Sequence, residues 1–136
     1  NGAALAPPAA AEGGDETIFV VEDEPALRDL LQEILEQKGY RVIAAATGVQ
    51  ALEVWEKRGK EIDLLFTDMM MPGGVSGREL AEHALREQPD VKVIYSSGYS
   101  LDVVSPDFVM KAGTHFLQKP YNPETLARAV RECLNG

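Results

Sequence analysis

Five times from Thr17 onward, a short apolar run rich in β-formers is followed by a stretch of helical periodicity, and that alternation leaves few folds open to the chain. Thr17-Ile18-Phe19-Val20-Val21 is the first run. Pro25 then opens a helix in which Leu27, Leu30, Leu31, Ile34 and Leu35 recur at helical spacing until Gly39 stops it. Residues 41–45 read as a second strand, followed by a helix from about Val49 with Ala51, Leu52 and Trp55 on one side, ending before Gly59. Residues 64–67 form the third strand. Ser76 with Glu79 three positions later has capping-box spacing, and the helix it starts carries Leu80, Ala81, Ala84 and Leu85 towards Pro89. Residues 91–96 are a fourth strand. The fourth helix is expected between 101 and 112, short or kinked, because Ser105-Pro106-Asp107 interrupts it. Residues 114–118 supply the fifth strand, and a helix built on Leu126, Ala127, Val130 and Leu134 closes the domain. Strands that are apolar throughout are buried on both faces, so the expected class is α/β: a parallel sheet with helices on both sides and right-handed crossovers.

The length of 136 residues suits one hydrophobic core and is short for two. Residues 1–15 (NGAALAPPAAAEGGD) hold no large apolar side chain except Leu5 and have the composition of a flexible linker or tail, so the folded domain is expected over 16–136. An opening on Asn rather than Met and a close just after the last helical pattern are what a piece of a longer polypeptide would show. With 22 acidic against 13 basic residues the formal charge is −9, which argues against a nucleic-acid or anionic-membrane surface on this chain. No apolar run approaches the ~18 residues that span a bilayer, and no basic stretch followed by a hydrophobic one opens the chain, so membrane insertion is not expected. The single cysteine, Cys133, excludes an intrachain disulfide and suits a reducing, cytoplasmic setting.

In a sheet of this kind every strand-to-helix loop lies on one edge, where open α/β folds hold their ligands. Glu22-Asp23, Asp68, Ser97 and Lys119 each follow or end a different apolar run, so they converge there. Taken singly, Asp68 would be an ordinary loop acid, Asp23 or Ser97 a helix cap and Lys119 a solvated lysine. At four strand ends together they are a site. Three carboxylates repel one another unless a cation binds; the absence of His and Cys from the set argues against zinc, and the oxygen donors suit Mg²⁺. A carboxylate can attack phosphorus to give an acyl phosphate if charge on the equatorial oxygens is neutralised, a task open to Mg²⁺, the Lys119 ammonium and the Ser97 hydroxyl.

Val21-Glu22-Asp23-Glu24, Thr67-Asp68-Met69-Met70-Met71-Pro72-Gly73-Gly74, Tyr95-Ser96-Ser97-Gly98-Tyr99 and Gln118-Lys119-Pro120-Tyr121 together resemble the motifs of receiver domains of two-component response regulators, over roughly Thr17 to Leu134. The resemblance implies a doubly wound, flavodoxin-like fold with a five-stranded parallel sheet of order 2-1-3-4-5. It implies that Asp68 accepts a phosphoryl group from the phosphohistidine of a histidine kinase or histidine phosphotransfer protein. Glu22 and Asp23 would hold Mg²⁺ with Asp68 and the backbone carbonyl of Met70. Of Ser96 and Ser97, the family's usual interval of 22 residues before the lysine picks Ser97 as the phosphoryl-binding hydroxyl. Lys119 would pair with another phosphoryl oxygen, and Lys119-Pro120 would match the family's usual cis peptide. Phe116 resembles the aromatic switch that turns inward with that hydroxyl, without the phenolic oxygen of many members.

Two departures narrow the resemblance. The loop Pro72-Gly73-Gly74-Val75-Ser76-Gly77 carries one residue more than the commonest pattern, and Ser97-Gly98-Tyr99 replaces the usual hydroxyl-Ala pair. Both are similar to receivers fused to hybrid sensor histidine kinases, so the domain is expected to be a phosphoacceptor rather than a turnover enzyme, within a parent that is a histidine kinase and tethers it to a membrane sensor. A stand-alone single-domain regulator is the alternative, and a monomer or weak dimer is expected. Met70 and Tyr99 occupy positions that flank the hydrolytic water's path in this family, and neither would position water well, so slow self-dephosphorylation is expected. A flavodoxin-like electron carrier would need a Ser/Thr/Gly-rich phosphate loop where Glu22-Asp23-Glu24 stands. An Asp-nucleophile phosphohydrolase would need a second Asp where Met70 stands.

Overall fold

The computed structural model describes residues 13–68, 74–97, 114–118 and 122–135. Their elements are β1 (Thr17–Val21), α1 (Pro25–Gln37), β2 (Arg41–Ala45), α2 (Gly48–Arg58), β3 (Leu64–Asp68), α3 (Gly77–Glu87), β4 (Lys92–Ser97), β5 (Thr114–Gln118) and α4 (Pro123–Asn135). The strands form one parallel sheet of order β2-β1-β3-β4-β5. The helix expected over 101–112 lies outside the described residues.

Alternation along each strand divides the apolar residues into two cores. Phe19, Val21, Leu65, Val93 and Tyr95 leave one face and meet Ala51 and Trp55 of α2 and Leu80, Ala81 and Ala84 of α3. Ile18, Val20, Leu64, Phe66 and Ile94 leave the other and meet Leu31, Ile34 and Leu35 of α1 and Leu126, Val130 and Cys133 of α4. β1 and β3 are buried along their whole length. Each fully buried Leu, Ile, Val or Phe is worth about 1.5–3 kcal/mol, so the centre of the sheet is its most firmly held part. Its C-terminal edge therefore stands on rigid strands.

The helix ends follow local chemistry. Pro25 opens α1, and Gly39, with φ +98°, supplies the left-handed residue that turns the chain back into β2. Ser76 Oγ accepts the Glu79 N–H at 3.1 Å while the Ser76 N–H donates to Glu79 Oε1 at 3.0 Å, the capping box expected from the spacing. Ser76→Ala should cost about 1 kcal/mol in chemical denaturation, since it orphans the Glu79 N–H; an unchanged midpoint would show that water replaces the cap fully.

The boundaries of three elements differ from expectation. α2 begins at Gly48, capped by Thr47, one residue before the expected start, and stops at Arg58, before Gly59 as expected, with a separate 3₁₀ turn over Gly59–Glu61 leading on towards β3. Gly59, the C-cap residue of α2, is right-handed, and a Cβ on it would sit 2.9 Å from the Trp55 ring, so this glycine both ends the helix and permits close packing. β4 runs from Lys92 to Ser97, and β3 continues one residue past its apolar run because Asp68 keeps register with Ser96.

Gly13 and Gly14 are fastened to the far edge of the sheet from these strand ends. Arg131 of α4 donates to the Gly13 carbonyl at 2.8 Å and forms a 2.7 Å ion pair with Glu16, and the Gly14 N–H donates to the Lys38 carbonyl. The Arg131 guanidinium holds the Glu16 carboxyl below the usual carboxylate range. Among the described residues no helix is long and apolar enough to cross a membrane.

Candidate functional site

Glu22 follows β1 and Asp68 ends β3, and these two strands are paired up to Val21 and Thr67, so their carboxylates rise side by side at the C-terminal edge. Asp23 follows in the same loop. Glu22 is 2% exposed and Asp68 7%, whereas Asp23 is open to solvent. One carboxylate oxygen from each of the three lies within 4.8 Å of the others. Two are embedded in the protein and one faces water.

Backbone and side-chain bonds hold this loop in place. The Glu22 N–H donates to the Ala45 carbonyl at 3.1 Å, which ties the loop to β2. The Glu24 N–H donates to Glu22 Oε2 at 3.1 Å, and Arg28 Nη1, one turn into α1, reaches back to the Glu22 carbonyl at 2.9 Å. On the neighbouring strand Thr67 Oγ1 donates to the Asp68 carbonyl at 3.0 Å. Glu24, the N-cap of α1, makes no side-chain cap, so the Arg28 guanidinium is the side chain that fastens helix to loop.

At separations of up to 4.8 Å each like-charged pair costs roughly 3 kcal/mol at an effective dielectric of about 20. A divalent cation removes that cost, and the donor set fits a hard one: three carboxylates, two of them pre-positioned by strands, with neither His nor Cys among them. The cluster can hold a metal ion.

The structure thus brings together Glu22, Asp23 and Asp68. Ser97 ends β4 and Phe116 lies in β5, paired with Tyr95, but their side chains fall outside the described residues. Met70, Lys119 and Pro120, with the expected cis peptide, also lie outside them, as does Tyr99. Sequence reasoning passed over Arg28, and it weighed Ser96 only as the rival of Ser97 for the phosphoryl-binding hydroxyl and set it aside on spacing. Arg28 carried a signal: a cation in the first turn of a helix opposes the helix dipole, which is tolerable where it has a carbonyl to hold.

The chain matches the response regulator receiver domain profile over residues 18–131. It is 38% identical over 121 residues to the sensor kinase CckA of Brucella abortus, covering 89% of this chain and 13% of that protein. It is 32% identical over 121 residues to sporulation initiation phosphotransferase F of Bacillus subtilis, covering 88% of this chain and 94% of that one. It spans 48–50% of three Bacillus subtilis transcriptional regulators that it also matches. Among solved structures, the receiver domain of hybrid histidine kinase CckA superposes with a TM-score of 0.74 at 36% identity, covering 87% of this chain and 98% of that one. Response regulator TrrA of Thermotoga maritima, solved with Mg²⁺ and BeF, gives 0.74 at 30%, again covering 87% and 98%. A profile match running from the first strand into the last helix, joined to relatives more than 30% identical, settles the family: this chain belongs to the response regulator receiver domains, the modules of two-component signalling.

Proposed function

We propose that Asp68 is the phosphoacceptor of this receiver, and that Glu22, Asp23 and Asp68, with the backbone carbonyl of Met70, hold Mg²⁺ for the transfer. The observation that carries this reading is the convergence of the three carboxylates at one sheet edge, with Asp68 fixed at the end of the central strand. An Asp68 carboxylate oxygen attacks the phosphorus of a phosphohistidine. The new O–P bond forms as the P–N bond breaks, and the electron pair leaves with the imidazole. A bound Mg²⁺ would neutralise charge on the transferring phosphoryl group. Buried walls on two of the acids exclude water from one side of Asp68, and the solvent-facing Asp23 leaves an open side for an incoming donor. Ser97 and Lys119 take the remaining phosphoryl oxygens, and Phe116 moves with Ser97 to signal the phosphorylated state.

The donor is a histidine kinase or a histidine phosphotransfer protein. Similarity to the sensor kinase CckA and to the receiver of a hybrid histidine kinase supports placement of this receiver, residues 16–136, in a hybrid kinase. A stand-alone regulator is supported by the match over nearly the full length of sporulation initiation phosphotransferase F. With radiolabelled acetyl phosphate and Mg²⁺ the protein should acquire label that hydroxylamine releases, as an acyl phosphate does, and EDTA should reduce labelling to background. Labelling indifferent to EDTA would remove the metal from the reading; none with Mg²⁺ present would remove the phosphoacceptor.

A further inference from the structure

Ser96 is fully buried, and among the described residues its Oγ has no hydrogen-bond partner. Buried hydroxyls are nearly always bonded, because an unmade bond leaves the desolvation cost of the group uncompensated, so an orphan calls for a physical reason. Its position supplies one. Ser96 in β4 is the register partner of Asp68 in β3. Register partners in parallel strands project from the same face, as the preceding pair on that face, Phe66 and Ile94, shows by entering the same core beneath α1 and α4. Ser96 and Asp68 therefore leave the sheet side by side, with strands about 4.8 Å apart.

We propose that the Ser96 hydroxyl is a donor held in reserve for the phosphorylated form of Asp68, a second hydroxyl in the site beside Ser97. The inference rests on the phosphoacceptor reading above. Formation of the acyl phosphate adds three phosphoryl oxygens to the Asp68 side chain and turns its remaining carboxylate oxygen into a fixed carbonyl acceptor. A side chain that grows acceptors next to a buried donor gives that donor its partner. The hydrogen bond forms only in the product state and favours it over the resting one. Ser96 thus acts through differential binding: its cost is carried at rest and removed on phosphorylation.

The test compares wild type with Ser96→Ala and Ser96→Cys, titrating beryllofluoride with Mg²⁺ in excess and recording thermal midpoints with and without it. Ser96→Ala should be at least as stable as wild type without ligand, since it deletes an orphan. Its beryllofluoride affinity should fall about fivefold to tenfold, the worth of one hydrogen bond, and its ligand-induced thermal shift should shrink. Ser96→Cys, nearly isosteric with a weak S–H donor, should fall between. Equal affinities in all three proteins, or a loss of stability without ligand in Ser96→Ala, would overturn the proposal while leaving the phosphoacceptor reading intact. A wild type indifferent to beryllofluoride overturns both.

Discussion

Asp68→Asn should abolish Mg²⁺-dependent labelling by acetyl phosphate while leaving the fold intact. Asn has the shape of Asp, so the β3 terminus and its register with Ser96 lose no volume. The amide lacks the anionic oxygen that attacks phosphorus, and no partial activity is expected from geometry alone. The same change removes one charge from a cluster whose oxygens lie within 4.8 Å. With no ion bound, the variant should therefore be more stable than wild type by about 1–2 kcal/mol, after allowance for the solvent that reaches Asp23. It should also bind Mg²⁺ more weakly, because one of three anionic donors becomes neutral. The two effects have opposite signs and a single origin, so denaturation with and without Mg²⁺ reads both. Label retained on the variant would move the acceptor elsewhere, and reduced stability without ion would mean that repulsion is not what the cluster stores.

The parts of this architecture that depend on local chemistry were readable in the sequence. Pro25, Gly39 and the Ser76/Glu79 pair each act through their own backbone, and each ends or starts its helix as spacing implies. The acidic edge was also readable, because in a parallel sheet with helical crossovers the topology alone sends Glu22, Asp23 and Asp68 to one side. Features that depend on a tertiary neighbour were not. Gly59 was legible as the end of α2, but not as the place where Trp55 packs too closely to admit a Cβ. In strands buried on both faces the apolar run does not say which residues belong to which core, so the division between Leu65 and Phe66 emerges only when α2 and α3 lie on one side and α1 and α4 on the other. Hydrogen bonds outside the local capping motifs are likewise not fixed by spacing: that Arg28 finds the Glu22 carbonyl, and that Ser96 Oγ finds no partner among the described residues, follows from three-dimensional placement.

Phe66→Ala should fail in the opposite way to Asp68→Asn, losing stability and keeping chemistry. Phe66 is 1% exposed in the central strand, two residues before Asp68 and on the same face, packed in the core beneath α1 and α4. Truncation of a buried Phe to Ala costs about 3–5 kcal/mol through lost transfer energy and the cavity left behind. Against a total of about 5–15 kcal/mol for a domain, that is enough to unfold a measurable fraction near physiological temperature. The strand backbone is held by ladders to both β1 and β4, so the molecules that remain folded still present Asp68 in register with Ser96. At low temperature the variant should accept label to nearly the wild-type extent and lose it steeply on warming. Ligand linkage makes the test sharper: Mg²⁺ with beryllofluoride at about 100 times its dissociation constant should restore about 2.7 kcal/mol, because only the folded state assembles the three carboxylates. If Phe66→Ala instead lost labelling while still fully folded by circular dichroism, the core beneath Asp68 would be setting the geometry of the acceptor and not merely supporting the strand that carries it.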